Sequence, residues 1–167
     1  VRMNAKQPNN DQEPEERHEV VPSELDEMTH SELRMLYHES AQSVLFAKNH
    51  QWKTVGSTLV FFVVLILIGK VFGKSQEFVN NLQALVLLAT PASILVLIIY
   101  QFWQHTEHEK QAGIARDFSN VFREIRALKS RVEANVHRYT LLMFMIIIEG
   151  IGAFITFVTL STIQWYR

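Results

Sequence analysis

Three apolar runs, 54–72, 78–102 and 139–163, leave this chain few folds to choose from. Each is close to or above the roughly 20 residues that carry a helix across about 30 Å of hydrocarbon. A backbone in lipid must satisfy its own amides, and a single helix does so without help from neighbours. The runs therefore predict an all-α integral membrane protein with three transmembrane helices. Residues 1–28 are polar and acidic and carry no apolar h-region, so the first run is expected to be a retained anchor rather than a cleaved signal.

Aromatic residues bracket the runs in two belts. Trp52, Tyr100, Trp103 and Tyr139 mark one side, and Phe72, Phe78, Trp165 and Tyr166 the other. Amphipathic rings settle at headgroup level, so this alternation fits three true crossings. The basic residues are unequally divided. Lys48, Lys53, Lys110, Arg116, Arg123, Arg126, Lys129, Arg131 and Arg138 fall on the first side, against Lys70, Lys74 and Arg167 on the second. The positive-inside rule then places the N-terminus in the cytoplasm and the C-terminus on the opposite side. A bacterial inner membrane is the expected setting.

The polar segments divide further. Residues 1–28 hold three of the four prolines and eight acids against three bases, a composition that cannot offset its own ordering entropy. They are expected to form a flexible cytosolic tail, free to dock on a basic partner. Thr29 and Glu32 offer a capping box, from which an amphipathic helix is predicted over 29–53, running without a break into the first span. Leu33, Tyr37, Ser40, Val44 and Ala47 form its stripe. A short turn is expected at 73–76. Segment 104–138 is predicted to be a basic amphipathic helix. Ile114, Phe118, Val121, Ile125, Leu128 and Val132 recur at a 4-3-4-3-4 spacing and share one face. A straight rod of about 35 residues would reach some 50 Å from the membrane, yet the third span begins at once. The segment must therefore bend near 112–113 or 119–120, or lie along the membrane. Its stripe faces either anionic lipid or another helix.

Few residues carry chemistry. Glu149 sits inside the third run, where an ionised carboxylate costs a few kcal/mol or more, so it must be protonated or paired and face protein. Gly150, Gly152 and Ala153 follow and let a partner backbone approach, which favours hydrogen-bonded helix packing over an ion site. Pro91 predicts a kink in the second span. Asn80, Asn81 and Gln83 either cap that span or line a vestibule. His105 and His108 share a helix face and form an incomplete pair of metal ligands, with His50 or His137 as a third candidate. The chain has no cysteine and a net charge of −1, which removes thiol chemistry and gives no cue for nucleic acid. No nucleotide-binding or hydrolase motif is present, and no cofactor is indicated.

The order of parts is a cytosolic helix, a membrane hairpin and a cytosolic amphipathic helix. It resembles small bacterial pore-forming effectors of nucleotide-signalling defence systems, in architecture alone and without the third span. The resemblance implies a homo-oligomeric pore but carries no residue over; if this chain forms one, Glu149, Thr156 and Thr159 are the residues expected to line it. The residues themselves point first to a non-catalytic accessory subunit that packs against, and stabilises or tethers, a larger membrane complex. Its partners would be the lipid bilayer and other membrane subunits or copies of itself.

Overall fold

The computed structural model describes residues 21–73, 75–127 and 131–165, and most of these are helical with no strand among them. The elements are α1 (Glu27–Phe72), α2 (Gln76–Ile114), α3 (Asn120–Ala127) and α4 (Arg131–Trp165). Three stretches are long and apolar enough to cross a membrane: α1, α2 and the Val136–Ile163 part of α4.

Helix α1 carries the amphipathic segment and the first apolar run as one rod of 46 residues, about 70 Å long. Its N-cap is Asp26, not Thr29. The two carboxylate oxygens of Asp26 accept from the Thr29 amide and the Thr29 hydroxyl, both at 2.8 Å. Thr29 thus serves as a donor in the first turn, and an ionised acid at a helix N-terminus outcompetes a hydroxyl for those orphan donors. The Thr29 amide holds the Asp26 carboxyl below its ordinary range. At the far end, the Gly73 amide donates to Gly69 O at 2.9 Å. A β-carbon on Gly73 would collide with that same carbonyl, so this end of the turn requires glycine. Ser75 caps α2 by accepting from the Phe78 amide at 3.2 Å. Lys74 lies outside the described residues.

Helix α2 runs through Pro91 and does not stop at the end of the apolar run. Its last turns include His105 and His108. The stretch 104–138 is therefore not a separate helix. It holds the end of α2, a bend at 115–119, α3, and the start of α4. Short i→i+3 bonds tighten the bend, from Arg116 N to Gly113 O and from Asp117 N to Ile114 O, at 3.0 and 3.2 Å. Ser119 Oγ then accepts from the Phe122 amide at 3.4 Å and starts α3. Of the two expected bend positions, the break reaches 119–120, whereas α2 stays helical through 112–113 and ends at Ile114.

Helices α1 and α2 form an antiparallel hairpin, and α4 runs beside both in the direction of α1. Near the 73–75 turn, Phe62, Leu65, Val79, Leu82, Val86 and Leu160 make one apolar cluster. Val55, Leu97 and Met145 make a second, further along the bundle. Two glycines permit the close approach of α4 to α1. A β-carbon on Gly152 would lie 2.6 Å from Leu59 Cδ2, and one on Gly69 would lie 2.5 Å from Leu160 Cδ2. Only 22, 22 and 17% of the three apolar windows are buried inside the bundle, so most of each window faces outward.

Beyond the apolar runs, the bend at 115–119 and α3 pack on the first half of α1 through rings. Phe118 and Phe122 meet edge to face at 5.0 Å; Phe118 lies 5.2 Å from His30, and Phe122 5.6 Å from Tyr37. Arg126 donates to the Tyr37 hydroxyl at 2.7 Å. The residues before α1 are tied to the same corner. The Val21 amide donates to Asn120 Oδ1 at 2.9 Å, Asn120 N donates to Val21 O at 3.4 Å, and Ser23 Oγ donates to Asp117 O at 2.9 Å.

Candidate functional site

The interior of the bundle is apolar except for polar layers that join the helices in pairs, and these layers are the candidate site. Glu149 is at the centre, with no solvent exposure. Ser93 Oγ lies 2.7 Å from Glu149 Oε2 and 2.9 Å from Thr90 O. The serine has one proton for two acceptors. Both contacts become hydrogen bonds when Glu149 carries a proton of its own and donates it to Ser93 Oγ, which donates onward to Thr90 O. Glu149 Oε1 is buried without a hydrogen-bond partner among the described residues.

The local sequence explains the placing of Ser93. Pro91 has no amide hydrogen, so the turn before it holds a carbonyl with no helical donor. Around it the hydroxyls bond backward along their own helix, Thr90 Oγ1 to Val86 O at 2.7 Å and Ser93 Oγ to Thr90 O. Ser93 lies in register between Val86 and Leu97, and Glu149 between Met145 and Leu160, so an apolar cluster flanks the pair on each side. On α4, Gly152 faces Leu59 and Phe62 of α1, and Ala153 packs against the first cluster. Gly150 points elsewhere, into open space on the outer surface. Thr156 is buried and spends its hydroxyl on Gly152 O at 2.7 Å.

A second clasp joins α2 to α4. Gln83 Nε2 donates to Ser161 Oγ at 2.8 Å, and Ser161 donates onward to Phe157 O at 3.0 Å. Gln83 is thus turned inward, whereas Asn80 accepts from Gln76 at 3.1 Å on the surface.

A third layer, which the sequence reading missed, joins α1 to α2. Gln51 Nε2 donates to Leu97 O at 3.0 Å and to Gln101 Oε1 at 3.3 Å, and Gln104 Nε2 donates to Gln51 Oε1 at 2.7 Å. All three glutamines are buried. One turn further, Ser40 Oγ donates to Glu107 O at 2.9 Å. The signal was available: Ser93, Leu97, Gln101 and Gln104 continue one 4-4-3 stripe on α2, so the glutamines belong to the face that holds Ser93.

The histidines are spread over separate contacts. His105 Nε2 lies 3.4 Å from Glu109 Oε1, and His108 Nδ1 lies 3.3 Å from Gln111 Oε1. His50 stacks on Tyr100 and meets Phe46 at a tilt, and His137 is exposed. No three acidic or histidine side chains among the described residues are placed to hold a metal. Burial lowers the His108 pKa, and the nearby Arg138 charge lowers it further. Glu107 sits below the ordinary carboxylate range because Lys110 donates to it at 2.8 Å.

The predicted 114–132 stripe is divided. Phe118 is packed on α1 as described, Ile114 and Val121 are half-buried, and Ile125 is exposed. Leu128 and the side chain of Val132 lie outside the described residues, as do the first twenty residues of the expected tail, the side chain of Trp165 and the whole of Tyr166, both expected in the second aromatic belt. No family model matches the chain, and neither a curated protein nor a solved structure matches it.

Proposed function

We propose that this chain is a non-catalytic integral membrane subunit. It crosses the bilayer three times as a preassembled bundle and offers its outer faces to the other members of a larger membrane complex. The observation that carries the reading is the burial of Glu149 against Ser93. The one carboxyl within the apolar runs is spent on joining α2 to α4 inside this chain. Gln83–Ser161 and the Gln51 layer are spent in the same way. Polar groups used as internal clasps leave an outer surface made of large apolar side chains.

That surface extends past the apolar windows. Met35, Leu45 and Phe46 on α1 are exposed at 64, 68 and 50%, beyond the first apolar run. Lipid tails do not reach such positions if the windows mark the bilayer, and exposed apolar side chains outside it suit a protein partner. On this reading the N-terminus, α3 and the basic connector share the cytoplasmic side, by the charge asymmetry noted above, and a bacterial inner membrane is the setting.

The pore reading requires Glu149 and Thr156 to face a shared axis between copies. Both are enclosed by the helices of one chain, which favours the subunit reading. Extraction into gentle detergent followed by intact-complex mass measurement separates the two. The subunit reading expects foreign chains in the complex, and expects Glu149→Gln to leave ion leakage from liposomes unchanged. A ring of identical chains whose leakage changes on Glu149→Gln would replace it with the pore.

A further inference from the structure

Two buried polar atoms stand on either side of the smaller apolar cluster. Glu149 Oε1 has lone pairs to fill and Gln101 Nε2 a hydrogen to give, and neither has a partner among the described residues. Between their levels lies the cluster of Val55, Leu97 and Met145. The polar groups come closer still along α2. Gln51 Nε2 donates to Leu97 O at 3.0 Å, one turn or about 6 Å from Ser93. Toward the 73–75 turn the dry stretch is longer. The Gln83–Ser161 contact lies about 15 Å from Ser93 along α2, within the larger cluster around Phe62 and Leu160. The hydroxyls of Thr58, Thr90 and Thr156 are spent on their own helices. No second titratable side chain shares the level of Glu149. The stretches that pack around it, 54–62, 86–97 and 141–160, hold none besides Glu149 itself. The nearest along the described helices are Lys53, Lys70, Glu77, Tyr100 and Tyr139.

We infer that Glu149 is a proton-binding site served from the α2–α3 side of the membrane, across the Val55–Leu97–Met145 plug, and that its proton decides whether α2 and α4 are clasped. Water entering from the glutamine layer finds a donor at Gln101 Nε2 and an acceptor at Glu149 Oε1, so the two orphaned atoms mark the ends of its path. When the site empties, the carboxyl O–H bond breaks, the proton passes to that water, and a carboxylate remains. Ser93 then has one proton for the carboxylate and for Thr90 O, and serves one at a time. A bare carboxylate in hydrocarbon draws further water, which loosens the seam. The inference rests on the Glu149–Ser93 clasp of the subunit reading, and is independent of which proteins join the chain.

The test follows the full chain in nanodiscs by infrared spectroscopy, in the carbonyl band of un-ionised carboxylic acids, as H2O is replaced by D2O. At about pH 7 acids in water are ionised and do not contribute to that band. The band is expected in the native chain and absent in Glu149→Gln. Its deuterium shift is expected about tenfold faster in Met145→Ser and Val55→Ser, which wet the plug, and within about twofold of native in Leu160→Ser and Leu82→Ser, which open the far side. Circular dichroism selects the variants that stay helical, and one from each side suffices. A native chain without the band overturns the inference and the clasp with it. A band that exchanges as fast in the far-side variants as in the plug variants, or that no plug variant speeds, overturns the inference and leaves the clasp standing.

Discussion

Replacing Ser93 by alanine tests whether the α2–α4 clasp stabilises the bundle or only accompanies it. In the native chain Glu149 Oε2 has Ser93 as its partner at 2.7 Å, and Oε1 has none among the described residues. Ser93→Ala leaves both oxygens of a carboxyl with no exposure unpaired. An orphaned buried polar group costs about 1–3 kcal/mol, and interhelical hydrogen bonds measured within membranes are worth about 0.6–1.7 kcal/mol. A loss of about 1–2 kcal/mol is therefore expected. Glu149→Leu behaves differently. It removes the buried carboxyl at similar volume, and Ser93 keeps its bond to Thr90 O at 2.9 Å. Its cost is expected to be under about 1 kcal/mol. Adding Ser93→Ala to Glu149→Leu should then cost almost nothing more, which gives a coupling of about 1 kcal/mol between the sites. Unfolding in mixed micelles of mild and denaturing detergent, followed by tryptophan fluorescence, measures all four proteins. Equal losses from Ser93→Ala in both backgrounds would refute the clasp.

Three further outcomes follow from the same packing. Gly152→Leu should destabilise by about 1–3 kcal/mol, because its β-carbon meets Leu59 Cδ2 at 2.6 Å. Gly150→Leu, with nothing within 4 Å, should be neutral or gain up to about 1 kcal/mol of helix propensity, and the same detergent titration compares them. Gln51→Leu should cost about 1–3 kcal/mol, since Leu97 O and Gln104 Nε2 both lose a buried partner, and the loss should shrink when Gln104→Leu is added. Below about pH 6.5 the unfolded chain protonates His108 more readily than the native one, whose pKa is lowered by burial and by Arg138. The His108 contribution is therefore complete above that pH and lost as pH falls towards the native value. Glu107, whose folded pKa is lowered by Lys110, contributes a loss that begins as pH falls into the ordinary carboxylate range and is complete below it. Stability measured at pH 5 and at pH 7.5, in the native chain and in His108→Gln, isolates the histidine: the variant should show the smaller difference.

How far the fold could be read from residues varies along the chain. The three apolar runs announce themselves by length, since hydrocarbon thickness sets the length of a spanning helix. The inward turn of Glu149 was equally legible, because lipid excludes a bare carboxyl. Its partner was not: Ser93 is one of several small polar residues near Pro91, and only the rotation of α2 against α4 selects it. Asp26 took the cap from Thr29 through a contest between a carboxylate and a hydroxyl three residues apart, which spacing alone does not decide. The glycines Gly150 and Gly152 look alike in sequence, yet two residues on a helix differ by 200° of rotation, so one meets α1 and the other open space. The glutamine layer was hidden because glutamine near a span end reads as a solvated residue, although its stripe spacing placed it inside.

The account depends most on the hairpin crossing the bilayer, with the 73–75 turn on one side and the α2–α3 corner on the other. The chain contains no cysteine, so single substitutions can be labelled cleanly. Gln76→Cys and Gly113→Cys, both at exposed positions, can be challenged with a membrane-impermeant maleimide in sealed vesicles before and after lysis. The account predicts opposite patterns, one site labelled in intact vesicles and the other only after lysis. Labelling of both sites from the same face would contradict it.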